Sequence, residues 1–283
     1  MNALLRRGAT ALIFVAAMLG GIYGGRHAFV LLFALITGLC LWEFFNIVLL
    51  RNQKRDLIRR WLGIILGMVP YLLASVVQLD LVQQKESFIA IASLLFFPVI
   101  FSAFIYELYS KAEQPFANVA FIVLGMAYIG VPFALLEFIA FEDGQFHANT
   151  VFGLLAMTWV NDTGAYLVGS RFGKTLLFPR ISPKKTWEGA AGAAILTLLA
   201  AVLIHQWLGS LRLIDWLALA TIVVLFGSLG DLVESMLKRS AKLKDSGTIL
   251  PGHGGLLDRF DGFIFLLPFA TAYILWVRMA AGG

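Results

Sequence analysis

Two stretches of this 283-residue chain carry side chains that could do chemistry, and both are embedded among long apolar runs. In residues 227–262, Asp231, Glu234, Ser235 and Lys238 follow i, i+3, i+4, i+7 spacing, which lays them along one face of a helix. Asp258 and Asp261 stand three apart with Arg259 between them, behind Pro251, Gly252, His253, Gly254 and Gly255. Carboxylates so spaced, facing others on a neighbouring helix, suit a hard cation such as Mg²⁺, which prefers oxygen ligands and bridges to substrate phosphates. The glycine-rich turn could form an amide nest for phosphate; His253 reads either as a structural hydrogen-bonding residue or, with its neighbours, as a substrate contact. The single histidine of this stretch cannot build a zinc site. Cys40 is the only cysteine, so an intrachain disulfide and a cysteine-rich metal centre are both excluded.

The other stretch, residues 159–189, places Asn161 and Asp162 near the middle of an apolar run. An ionised carboxylate there costs several kcal/mol unless it meets a cation, a partner or water, so Asp162 reads either as a functional acid or as a hydrogen-bonded strut between helices. The segment Gly169-Ser-Arg-Phe-Gly-Lys-Thr175 is one residue too short for a P-loop and has no soluble strand before it, although Lys174 could still touch phosphate. In Ser182-Pro-Lys-Lys-Thr-Trp-Glu-Gly189, Ser182 reads as a helix N-cap and Pro183 as the first helical residue. Lys184 and Lys185 would then sit in the first turn, against the helix dipole. They serve either a bound anion or lipid headgroups, and the segment alone does not choose between them.

The elements that must position these groups are membrane helices. Hydrophobic residues make up 60% of the chain and charged residues 14%, far from the composition of soluble globular proteins. Apolar runs of spanning length fall at 9–25, 27–50, 61–79, 87–108, 116–140, 150–170, 188–209, 213–235 and 261–281. The expected fold is therefore all-α and polytopic, with about nine transmembrane helices. The first two runs meet at Gly24, Gly25, Arg26 and His27, where a tight turn is required. Arg6 and Arg7 before a short apolar run resemble a signal peptide, but the second span follows at once and favours a retained first helix.

With the amino terminus in the cytoplasm, only Arg26, Lys85, Arg212 and Arg278 of the 22 Lys and Arg fall outside, as the positive-inside rule requires. The net charge of +5 is a signal of topology and of an anionic lipid surface, with no indication of nucleic acid. Both chemistry-bearing stretches then face the cytoplasm. No repeat or linker divides residues 1–283, which read as one membrane-embedded domain, 1–149 mainly scaffold and 150–283 the catalytic half.

The string S-x-x-K-R-x(4)-K-D-x(5)-P-x-H-G-G-x-x-D-R-x-D, running without a gap from Ser235 to Asp261, resembles the signature of phosphatidate cytidylyltransferases, also called CDP-diacylglycerol synthases. The Asn161-Asp-Thr-Gly-Ala-Tyr166 and Ser182–Gly189 segments resemble that family as well. The resemblance implies transfer of a cytidylyl group from CTP to phosphatidic acid in phospholipid biosynthesis. It also implies a homodimer in the cell inner membrane, dependence on Mg²⁺ and, in some members, help from K⁺. By motif position it implies Asp231 and Asp258 as metal ligands. Asp162 and Lys238 join them as catalytic candidates, and Ser182, Lys184, Lys185, Ser235, Arg239, Lys244, Asp245, His253 and Arg259 as substrate contacts.

Other classes fit less well. CDP-alcohol phosphotransferases share the lipid and the metal, but their D-G-x-x-A-R-x(8)-G-x(3)-D-x(3)-D pattern is absent. A polyprenol kinase lacks the full signature found here. A transporter would also place carboxylates in mid-membrane, but transporters commonly show inverted repeats with paired broken helices in both halves, whereas the polar motifs of this chain occupy one half and one face.

Overall fold

The computed structural model of the chain describes residues 3–49, 54–142, 144–249 and 254–282. Pro251, Gly252 and His253, and with them most of the expected phosphate nest, lie outside the described residues. The described chain is overwhelmingly helical and forms two compact units, Met1–Phe138 with Ser246–Leu257, and Ile139–Asp245 with Asp258–Gly283.

The first unit begins with α1 (Ala3–Tyr23) and α2 (Arg26–Val48), joined where Gly25 takes φ 94°, a left-handed conformation that glycine adopts without strain. Then come α3 (Lys54–Gln78), α4 (Lys85–Ser110), α5 (Pro115–Gly125), a π-helical turn (Met126–Gly130) and α6 (Val131–Ala140). Phe29, Phe33, Phe44, Phe45, Tyr71 and Phe133 fill its core.

Several polar groups buried among them are paired, as an apolar interior favours. Arg59 is held by Asp56 and Glu107, and Glu107 also accepts from Ser110 Oγ at 3.0 Å and Asn118 Nδ2 at 3.3 Å. The Arg60 guanidinium lies 3.7 Å from the centre of the Trp42 ring. Glu43, 1% exposed, accepts from Ser246 Oγ at 3.0 Å and from the Leu257 amide at 2.8 Å, so one carboxylate of α2 ties down both ends of the Ser246–Leu257 segment. On the surface, Asp80 hydrogen-bonds Lys85 at 2.5 Å, which lowers the pKa of its carboxyl.

In the second unit a short antiparallel pair, β1 (Phe141–Glu142) and β2 (Gln145–Phe146), leads into α7 (Ala148–Phe172). An antiparallel ribbon of β3 (Leu176–Phe178) and β4 (Ser182–Thr186) connects α7 to α8 (Trp187–Leu208). The chain continues through α9 (Leu213–Ile222), a second π-helical turn (Val223–Gly227), α10 (Ser228–Ser240) and α11 (Leu257–Gly282). Phe226 and Phe269 stack with ring centres 3.6 Å apart, and Tyr273 donates to Asp215 at 3.0 Å.

Seven helical stretches are long and apolar enough to cross a membrane among the described residues: Arg26–Val48, Asp56–Gln78, Lys85–Ser110, Pro115–Ala140, Trp187–Leu208, Leu213–Ser240 and Leu257–Ala280. Among the described residues, each of the nine apolar runs read from the sequence is mainly helical. In α1 the apolar part is the shorter Thr10–Tyr23, and the 25 residues of α7 are diluted by polar groups, Asn161 and Asp162 among them.

The ribbon corrects one sequence expectation. Ser182 is not an N-cap and Lys184 and Lys185 are not in a first helical turn: all three lie in β4, where Ser182 pairs with Phe178 and Thr186 with Leu176. Thr186 is the cap. Its hydroxyl accepts from the Gly189 amide at 3.2 Å, Glu188 supplies an acid in the first turn, and the dipole of α8 is complemented rather than opposed. The Glu188 carboxylate also accepts from the backbone amides of Lys174 and Thr175 at 3.0 and 3.1 Å, fastening the start of the ribbon to α8.

Candidate active site

The π-helical turn before α10 and the glycines after it set up the site. Gly230 and Gly262 lie where α10 and α11 touch: a β-carbon on Gly230 would come within 2.7 Å of the Asp261 carbonyl oxygen, and one on Gly262 within 2.8 Å of the Gly227 carbonyl oxygen. Only a missing side chain permits that approach, and each of these glycines neighbours an aspartate, Asp231 and Asp261.

The result is a cavity of about 360 Å³ lined by residues of α7, β3, β4, α8, α10 and α11. Its charged walls are Asp162, Asp231, Asp258 and Asp261 on one side of the balance and Lys184, Lys185, Lys238 and Arg259 on the other. Tyr166, Leu177, Thr186 and Ser228 complete it, together with Asn161, which is 1% exposed. Four acids and four bases around one space leave it close to neutral while offering both signs of charge at short range.

The ion pairs are specific. Lys185 Nζ stands 2.7 Å from Asp231 Oδ2 and 3.4 Å from the Ser228 carbonyl oxygen, bringing β4 onto α10. Ser235 donates to Asp231 Oδ1 at 3.3 Å, one turn along the same helix. Lys238, 9% exposed, pairs with the wholly buried Glu234 and stands 2.6 Å from Asp258 Oδ1, linking α10 to the first turn of α11. Asp162, Asp231 and Asp261 lie close enough to repel one another, a penalty that a bound cation would relieve.

The sequence-predicted site residues therefore separate. Asp162, Lys184, Lys185, Asp231, Lys238, Asp258 and Arg259 line the cavity. Ser235 touches it through Asp231, whereas Ser182 lies in β4 without lining it. Arg239 donates to the Leu243 carbonyl at 3.0 Å, and Lys244 and Asp245 are exposed in the segment after α10. His253 lies outside the described residues. The i, i+4 spacing of Glu234 and Lys238 foreshadowed their ion pair, whereas Leu177, which carries no chemical signal, was not a candidate.

The donor set can be judged for a metal on its own chemistry. Among the described residues no three His, Cys, Asp or Glu side chains are grouped as a ready metal cage. The carboxylates on the cavity wall are hard oxygen donors, and Mg²⁺ is commonly held by one or two carboxylates, with substrate phosphates and water completing the shell. The residues fit that mode and do not fit a soft or structural metal.

Residues 5–277 match the cytidylyltransferase family. The chain belongs to that family. Among its relatives is the phosphatidate cytidylyltransferase of Staphylococcus saprophyticus, 34% identical over 273 residues that cover 96% of this chain and 99% of the relative. The enzyme of the same name from Staphylococcus aureus is 32% identical over 95% of this chain and 98% of its own length. That of Bacillus subtilis is 45% identical over 166 residues, 58% of this chain and 61% of the relative. The family resemblance drawn from the signature between Ser235 and Asp261 thus extends along nearly the whole chain.

Proposed function

We propose that this protein transfers the cytidylyl group of CTP to phosphatidate, giving CDP-diacylglycerol and pyrophosphate. The observation that carries the reading is the cavity itself: in a chain of the cytidylyltransferase family, Asp231 and Asp258 each meet a lysine from another element inside one space lined by eight charged side chains.

A phosphate oxygen of phosphatidate forms a bond to the α-phosphorus of CTP as the bond from that phosphorus to the bridging oxygen breaks. Pyrophosphate leaves with the electron pair. Both reactants are anions, and their repulsion in a low-dielectric space is the main obstacle. Lys184, Lys185, Lys238 and Arg259 supply ammonium and guanidinium hydrogens to phosphate oxygens, with arginine suited to two-pronged contact. A phosphate monoester is already a competent nucleophile, so no serine or cysteine need be activated. Asp231 and Asp258 would hold Mg²⁺, which when bound neutralises triphosphate charge and orients the nucleotide, with Asp162 as a further acid of the site and K⁺ as a second cation.

Nine crossings, with α1 and α7 added to the seven apolar helices, belong to this reading. So do a cytoplasmic amino terminus and a cavity open to cytoplasmic CTP, in a homodimer of the cell inner membrane. The test is CTP- and phosphatidate-dependent pyrophosphate release by purified protein in detergent, with CDP-diacylglycerol formed in equal amount. Release of CDP instead would indicate a lipid kinase, and no nucleotide turnover would favour a transporter.

A further inference from the structure

The β3–β4 ribbon is the one part of the second unit's cavity wall that is not helical. A two-stranded ribbon has open backbone edges, which hydrocarbon cannot satisfy, so it has no place in the bilayer core. Its side chains nonetheless are not those of an aqueous hairpin. Phe172 is 62% exposed, Leu176 46%, Phe178 45% and Trp187 60%. Residues 171–187 hold five cations, Arg171, Lys174, Arg180, Lys184 and Lys185, and no acid.

Exposed aromatic and aliphatic groups beside several cations, of which Lys185 is turned to Asp231, are the composition of segments seated at the headgroup level, where the rings meet acyl chains and the cations meet phosphate. The strands sort the groups further. Leu176 and Phe178 are exposed, and the half-buried Leu177 between them lines the cavity, in a ribbon whose register shifts between Leu176 and Phe178. Lys184 and Lys185 on the partner strand line the cavity too, whereas Arg171, Lys174 and Arg180 are exposed outside it.

We propose that this ribbon is an interfacial lip that collects anionic phospholipid: Leu176 and Phe178 dip into the outer acyl region, and Arg171, Lys174 and Arg180 gather phosphate headgroups. Lys184 and Lys185 on its inner face then pass a headgroup to the cavity. The membrane contact stands independently, while the hand-over rests on the reaction proposed above.

The test labels Phe178→Cys with a bimane fluorophore in proteoliposomes; Cys40 is wholly buried and stays unlabelled. Nitroxide placed near the lipid headgroup should quench the label more than nitroxide at the chain end, and iodide should quench it weakly. Strong iodide quenching without lipid quenching, or strongest quenching from the chain end, would overturn the membrane contact. Should Phe178→Cys disturb the ribbon, Leu176→Cys gives the same readout. In the second arm, Arg180→Gln should raise the half-saturating mole fraction of phosphatidate roughly fivefold and leave that of CTP unchanged. A shift in both substrates, or in neither, would overturn the hand-over. Inactive wild-type protein would refute the reaction, and the hand-over with it, while the quenching still decides where the ribbon sits.

Discussion

Lys238 Nζ lies 2.6 Å from Asp258 Oδ1 on another helix while also pairing with Glu234, whose side chain is wholly buried. One ammonium thus serves two carboxylates, one at the cavity and one sealed behind it. Replacing Lys238 with Met would leave Glu234 as an uncompensated buried charge, at a cost of about 3–5 kcal/mol. Thermal unfolding in detergent should show that loss together with loss of turnover. Glu234→Gln combined with Lys238→Met should recover part of the stability and none of the activity.

Asp258→Asn keeps the shape of the side chain and removes its charge. Turnover should fall on the order of a hundredfold or more, because a neutral amide is a far weaker ligand for a hard cation and a weaker partner for Lys238. Pyrophosphate release measures the fall, and near-normal activity would remove Asp258 from the chemistry. Helical content by circular dichroism should match that of the parent protein.

The two candidate caps of α8 can be told apart. Thr186→Ala should destabilise by about 1 kcal/mol, since it frees the Gly189 amide at the start of the helix. Ser182→Ala, in the ribbon, should leave the melting temperature nearly unchanged. Equal losses from both would mean that the ribbon, rather than the cap, sets the start of α8.

Chelation of divalent ions should abolish turnover, and Mg²⁺ should restore it. Zn²⁺ should not restore full activity, because the cavity wall offers carboxylate oxygens with no thiolate or imidazole among its described residues. Melting temperature followed through the same titration separates a metal that serves the reaction from one that only holds the fold. The prediction is a small thermal shift beside a large kinetic one.

Much of the architecture could be read from hydropathy alone, because a chain that must satisfy its backbone in lipid has little choice but helix. The spacing of Asp231, Glu234, Ser235 and Lys238 likewise announced a polar stripe, and the structure pairs Ser235 with Asp231 and Lys238 with Glu234 across single turns. The ribbon was not legible. Ser182-Pro183 carries the local signature of a helix start, and only pairing with Leu176–Phe178 makes it a strand. Glu43 escaped for a similar reason: its partners Ser246 and Leu257 lie more than 200 residues away, and nothing in one apolar run announces them.

The π-helical turn at Val223–Gly227 sets the azimuth of everything that follows it in the same rod. An α-helix turns by roughly 100° per residue, and a π turn absorbs one residue more than an α turn does. Deleting a single residue there would swing Asp231 and Lys238 about a quarter of a revolution away from the carboxylates of α11, with hydropathy and length almost unaltered. The site depends on a phase angle, and a lesion that leaves composition and membrane insertion intact could still dismantle it.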